Sequence, residues 1–139
     1  MKSRLCSLLL LSFLTISFYS CKKDTDKPYP TTIEGLWIGT YTVNELTQDP
    51  QFYSFSIKPG GDILVEGKGG DDVTYYSAGT WKLSNDTLKA EIHSINVNVK
   101  VTQSLTAIFD PMNRKLKNGV WKDIAGASLS GTFQMDKVK

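Results

Sequence analysis

Short turn signals divide residues 33–139 into runs of β-branched and aromatic residues, and this spacing constrains the fold more than any other feature. None of the runs shows helical periodicity, and the short connections leave little room for crossovers between parallel strands. The pattern predicts an all-β domain, an eight-stranded antiparallel up-and-down β-barrel. The predicted strands are 35–43, 51–58, 62–67, 73–83, 87–94, 97–109, 115–122 and 128–136.

Two of the turns predict the register of the strands beside them. Residues 58–62 suit a three-residue loop, with a type I turn that begins at Pro59 and Gly61 in a left-handed bulge. Residues 85–86 (Asn-Asp) suit a two-residue turn. Both registers place apolar side chains together on one face, as a half-buried strand requires. The predicted pairs are Ile57 with Ile63, Phe55 with Val65, Leu83 with Leu88, Trp81 with Ala90, and Gly79 with Ile92.

Glycine stands two residues before an aromatic ring five times in the chain. A glycine inside a strand costs roughly 0.5–1 kcal/mol relative to alanine, so its repeated use needs a reason. Residues two apart share a face, so each glycine makes room for a ring and lets the strand bend. This pattern predicts a sheet that closes on itself. The pairs are Gly35/Trp37, Gly39/Tyr41, Gly79/Trp81, Gly119/Trp121 and Gly131/Phe133.

The first of these pairs, Gly35-Leu36-Trp37, resembles the G-x-W signature on the first strand of lipocalins and, in looser form, of avidin-like proteins. The resemblance implies an eight-stranded antiparallel barrel that holds a small, usually apolar ligand. Lipocalins also place an arginine of the last strand over this tryptophan. Here Arg114, the only arginine after residue 4, falls in a predicted turn.

Two functions remain open for such a barrel, because eight strands enclose an interior that is either filled by side chains or just large enough for one small ligand. A hollow interior predicts a ligand-binding protein. A solid core predicts a non-enzymatic surface module that binds a protein or a glycan on an outer apolar patch. The candidate ligand-binding residues are Trp37, Tyr41, Tyr53, Phe55, Tyr75 and Trp81. The candidate outer patch comprises Leu36, Ile38, Phe52 and Tyr76.

The N-terminus has the pattern of a secretory signal, with Lys2 and Arg4 followed by an apolar run over 5–18. Residues 18–21 (Phe-Tyr-Ser-Cys) resemble the lipobox of bacterial lipoproteins, which implies that Cys21 receives diacylglycerol and anchors the chain to a membrane. The charged residues that follow resemble surface-export signals of Bacteroidetes-type lipoproteins. We therefore expect an outer-membrane lipoprotein of the cell envelope, facing the periplasm or the exterior. Its predicted segments are a signal peptide (1–20), a lipid-anchored tether (21–32) and the barrel domain (33–139).

Composition argues against several classes of function. Of 16 basic and 14 acidic residues, Lys2 and Arg4 leave with the signal peptide, so the remaining chain is formally neutral and has no basic field for nucleic acid. The two cysteines lie at or before residue 21, so the barrel has no thiol chemistry. With His93 as the one histidine, we expect no enzymatic activity, no metal site and no cofactor.

One modification signal stands on the predicted fifth strand. Asp86-Thr87-Leu88 resembles the short O-glycosylation motif of Bacteroidetes-type bacteria. The resemblance implies that Thr87 carries the sugar.

Overall fold

A computed structural model describes residues 32–70, 72–98 and 100–139 of the chain. Each strand pairs antiparallel with the next, and the last pairs with the first, so the sheet closes into an eight-stranded barrel and the predicted fold class is confirmed. The predicted signal peptide, Cys21 and most of the tether lie outside the described residues. The strands are β1 (Gly35–Tyr41), β2 (Gln51–Ile57), β3 (Asp62–Lys68), β4 (Thr74–Ser84), β5 (Thr87–Ser94), β6 (Thr102–Asp110), β7 (Lys115–Ala125) and β8 (Ser130–Lys137).

Within these residues no helix is long and apolar enough to cross a membrane. The sheet is a meander, so its connections alternate between the two ends of the barrel. The connections that follow β1, β3, β5 and β7 lie at one end, which we call the open end. The tight turns of β2–β3, β4–β5 and β6–β7 lie at the other, which we call the closed end.

The predicted hairpin registers are confirmed, including Ile57 opposite Ile63 and Leu83 opposite Leu88. One turn type was wrong. Gly60 has φ +90°, which belongs to a type II turn after proline and not to the predicted type I turn.

The sixth strand begins five residues later than predicted, at Thr102. The first residues of β4 extend beyond the last pair that β4 makes with β5, Ser77 with Ser94, and the side chain of Asn96 binds them instead. Its Oδ1 accepts a hydrogen bond from the Tyr76 amide at 2.7 Å, and its Nδ2 donates to the Thr74 carbonyl at 2.8 Å. Because this amide satisfies the backbone of β4, the chain can leave the sheet and form a longer loop at the open end.

The closed end is packed around Trp37, which is fully buried. Its indole Nε1 donates to the Ile33 carbonyl at 2.8 Å, so the chain before β1 covers this end. The ammonium of Lys137, on the last strand, lies 5.9 Å from the Trp37 ring centroid. The last strand therefore provides a cation over this tryptophan. The cation is a lysine, where the resemblance to lipocalins implies an arginine.

The glycines Gly39 and Gly79 serve the backbone more than the rings. A Cβ on Gly39 would lie 1.9 Å from the carbonyl oxygen of Gln134, and one on Gly79 would lie 1.9 Å from that of Glu91. Neighbouring strands thus approach these positions more closely than any side chain allows. Gly39 stands on the β1–β8 seam, so the glycine contributes directly to closure of the barrel.

Candidate functional site

A cavity of about 800 Å³ opens among the four loops of the open end. The closed half of the barrel is filled by large buried side chains, which include Phe55, Leu88, Ile92 and Leu116. The interior is therefore neither wholly hollow nor solid. Side chains fill the half of the interior at the closed end, and the cavity occupies the half at the open end.

Three aromatic rings contribute to the floor of the cavity. The ring of Tyr41 lies 4.9 Å from that of Tyr53 and 6.1 Å from that of Trp121, measured between centroids. Two of the rings are held by hydrogen bonds to the backbone. Trp121 Nε1 donates to the Thr42 carbonyl at 2.9 Å, and the Tyr41 hydroxyl donates to the Lys68 carbonyl at 3.3 Å. The floor is therefore fixed before any ligand arrives.

Tyr53 joins this floor to the packed core below it. Its ring makes edge contacts with Phe55 at 4.9 Å and with Phe133 at 5.9 Å. Burial raises the pKa of the Tyr53 phenol well above its usual range, and the nearby Tyr41 and Asp123 raise it further. Tyr53 consequently stays neutral at physiological pH and offers a ring and a hydroxyl, not a charge.

One wall of the cavity carries a polar network between β6 and β7. Gln103 Nε2 donates to Asp123 Oδ1 at 2.9 Å, and the Leu129 amide donates to Asp123 Oδ2 at 3.0 Å. Both carboxylate oxygens are therefore held in place. Asp123 is half-buried and lines the cavity together with Gln103.

The first loop at the mouth is fastened to the last strand by Glu45. Its Oε1 accepts a hydrogen bond from the Ser130 hydroxyl at 2.9 Å, and its Oε2 accepts one from the Ser130 amide at 3.1 Å. The bond from the Ser130 amide is the main reason that the pKa of Glu45 lies below its usual value. This contact positions Leu46, which lines the mouth and is 53 % exposed.

The six predicted ligand-binding residues separate into two groups. Three of them line the cavity: Tyr41, Tyr53 and Tyr75. The other three lie in the packed part of the barrel and do not line it. Trp37 and Phe55 are fully buried, and Trp81 donates its Nε1 to the Lys58 carbonyl, at the closed end.

Sequence reasoning missed Trp121 and Asp123, and a β-bulge explains why. Counting alternate residues from buried Leu116 would place residues 118, 120 and 122 inside. The register between β7 and β8 shifts between Leu116 and Gly119, next to Asn118 with its φ of +52°. After the shift Gly119, Trp121 and Asp123 face inward. The glycine–tryptophan spacing was the one signal in the sequence that could have placed Trp121 inside.

The other candidate groups lie away from the cavity. His93 is exposed, with its Nδ1 3.1 Å from the Thr102 hydroxyl. Thr87 lies half-buried at the start of β5, and its glycosylation stays a prediction. Among the described residues no cluster of three or more His, Cys, Asp or Glu side chains could hold a metal ion.

Comparisons of the chain with protein-family models, with curated proteins and with solved structures found no match.

Proposed function

We propose that this protein is a lipoprotein of the outer membrane, anchored through Cys21, whose lipocalin-like barrel binds a small ligand with an apolar body and catalyses no reaction. The observation that carries the proposal is the cavity of about 800 Å³ at the open end. Ligand sites in proteins are typically concavities of roughly 300–1,000 Å³ with apolar and aromatic walls and a few convergent polar groups. This cavity has that size and that lining.

The lining is also organised in advance of binding. Trp121 and Tyr41 are held by the hydrogen bonds to backbone carbonyls described above, and Asp123 by two donors of its own. A rigid site loses less conformational freedom when a ligand enters, so more of the contact energy appears as affinity.

The placement of the N-terminal side of the barrel is compatible with an anchor. Ile33 lies at the closed end, where its carbonyl accepts the hydrogen bond from Trp37. A tether that reaches Ile33 from Cys21 would join the barrel at the end opposite the cavity, and the mouth would stay accessible. The position of the Lys137 ammonium, on the last strand, over Trp37 of the Gly35-Leu36-Trp37 motif on the first strand supports the lipocalin-like assignment.

Tryptophan emission provides a direct test, because Trp121 lines the cavity and Trp37 and Trp81 do not. The protein is titrated with a panel of isoprenoid alcohols, porphyrins, fatty acids and long-chain amines while its emission is followed. We expect saturable quenching or a spectral shift with one class. The Trp121→Phe variant should lose this response, and the control variant Trp81→Phe should keep it.

Calorimetric titration with the same panel gives a readout independent of the tryptophans. Absence of saturable binding by every member of the panel would refute the proposal. So would an emission response that persists unchanged in Trp121→Phe.

A second candidate function rests on the outer surface of β1–β4. The predicted patch residues are all exposed there, and Leu64 on β3, 41 % exposed, lies on the same outer face, across Ser56 from Leu36. The interior is not the solid core that this alternative assumed, but an apolar outer face of this kind can still bind a partner. Binding to a glycan array that is lost in Tyr76→Ala and unchanged in Trp121→Phe would support it. Binding retained in Tyr76→Ala would contradict it. The patch residues are Leu36, Ile38, Phe52 and Tyr76.

A further inference from the structure

We infer that the cavity selects its ligand by charge, and that the ligand is an organic cation: an amine or ammonium group carried on an apolar body. This inference rests on the proposed function and names the ligand class for the same cavity. It also predicts that fatty acids and other organic anions are poor ligands.

The charged side chains in the lining all have the same sign. Among the described residues that line the cavity, the charged side chains are Asp49 and Asp123, and neither lysine nor arginine contributes. Lys68 stands between two lining glycines, but its own side chain is exposed and its ammonium lies 2.7 Å from a carboxylate oxygen of Asp72. A cavity whose fixed charges are all negative attracts cations and repels anions.

Asp123 is held firmly in the wall of the cavity. Its two oxygens accept hydrogen bonds from Gln103 and from the Leu129 amide. An ionised carboxylate has about four acceptor sites, so these two bonds orient the group and leave acceptor capacity for a ligand ammonium. The carboxylate is half-buried, so solvent and salt screen its charge less than they would on an open surface.

The aromatic rings of the floor also favour a cation. Trp121 donates its N–H to Thr42, and Tyr41 donates its O–H to Lys68. A tryptophan has no other polar hydrogen, and a tyrosine hydroxyl has only one. Towards a ligand these two side chains therefore present aromatic rings whose own polar hydrogens are already used, which suits a cation better than an anion. Ring faces attract ammonium groups that lie within about 6 Å of the ring centroid.

These three features act in the same direction. A ligand carboxylate would meet the charge of Asp123 without a basic partner from the described lining. A ligand ammonium would meet Asp123 and the faces of Tyr41 and Trp121. The affinity for a neutral alcohol of the same shape would lie between the affinities for the carboxylate and the ammonium.

The experiment uses three probes that share one body and differ in charge: 4-phenylbutylamine, 4-phenylbutanol and 4-phenylbutyrate. Each is titrated calorimetrically into the full chain in detergent micelles, with the titration into micelles alone subtracted. We expect the amine to bind at least tenfold more tightly than the carboxylate, with the alcohol between them.

The variant Asp123→Asn removes the charge and keeps the shape of the wall. In this variant we expect the amine to lose its advantage over the alcohol, with the affinity for the alcohol changed less than about twofold. The matched control is Asp136→Asn, on the outer face of β8 beside Lys115, which should leave the order of the three probes unchanged. The order of the three probe affinities in the unaltered protein tests which charge the cavity prefers, even if Asp123→Asn does not fold.

Two results would overturn the inference in distinguishable ways. Carboxylate binding as tight as amine binding would refute the charge selection and leave the proposed function standing. Failure of all three probes and of every member of the panel used for tryptophan emission would refute the proposed function, and the inference with it.

Discussion

Replacing Gly39 by alanine tests whether backbone approach at the seam closes the barrel. The new Cβ would lie 1.9 Å from the Gln134 carbonyl oxygen and 2.8 Å from the Met135 Cα, and both of these atoms belong to the backbone. Real Cβ atoms essentially never come closer than 3.0 Å, so β1 and β8 would have to separate by about 1 Å. A rotamer change cannot relieve this contact.

The cost follows from the hydrogen bonds of the seam. The Thr42 amide donates to the Thr132 carbonyl at 2.9 Å at the edge of this pairing, and a shift of about 1 Å takes such a bond beyond hydrogen-bonding distance. Losing that bond and one neighbouring bond of the β1–β8 ladder at about 0.5–1.5 kcal/mol each, with about 1–3 kcal/mol of overpacking, predicts a loss of about 2–6 kcal/mol. The reduced freedom of alanine in the unfolded chain, about 0.4–1 kcal/mol, offsets a small part.

Urea unfolding followed by tryptophan emission measures this loss. For a urea m-value of about 2 kcal/mol/M, the midpoint should fall by roughly 1–3 M. The matched control is Gly67→Ala, because a Cβ there meets only side-chain rings at ordinary distances, that of Tyr53 at 3.4 Å and that of Tyr41 at 3.6 Å. Its stability should change by less than about 1 kcal/mol. Equal midpoints for Gly39→Ala and Gly67→Ala would refute the role assigned to the seam.

Three further predictions follow from the core and the mouth. Because burial raises the pKa of Tyr53, the folded state keeps a proton that the unfolded state loses, so stability should fall as pH rises above about 10. Tyr53→Phe should remove that fall, and an unchanged pH profile would contradict it. Phe55→Ala should cost about 3–5 kcal/mol in equilibrium unfolding, and a loss below about 1 kcal/mol would show that its ring packing contributes little. Glu45 has a lowered pKa, so its bonds to Ser130 hold above its unfolded value and are lost as pH falls through the folded one. Amide exchange across 42–50 should then accelerate in acid and in Glu45→Ala at neutral pH, and equal exchange rates would contradict it.

Hairpin structure was readable in the sequence because it is decided locally. The two-residue turn at Asn85 and Asp86 has positive φ at both positions, as its chemistry favours, and it sets Leu83 opposite Leu88. Proline and glycine at 59–61 determine the partner of Ile57 in the same way. Once turns determine the registers of a meander, the order of the strands and the inward face of most of them follow.

The candidate site was only partly readable. Tyr41, Tyr53 and Tyr75 were predicted to face inward, and they do line the cavity. Trp121 and Asp123 were missed because the bulge at Asn118 reverses the alternation along β7. A bulge depends on how two distant strands fit together, so periodicity along one strand does not reveal it.

The sequence by itself determined the strands, the turns and the chemistry available inside the barrel. Tertiary structure alone decided that the barrel closes at Gly39, that Lys137 lies over Trp37, and that the interior is packed at one end and open at the other. The physical reason is the distance along the chain over which each interaction acts. Turn geometry and alternation act over a few residues, whereas a cavity is the space left by side chains from strands and loops that meet only when the whole sheet has closed.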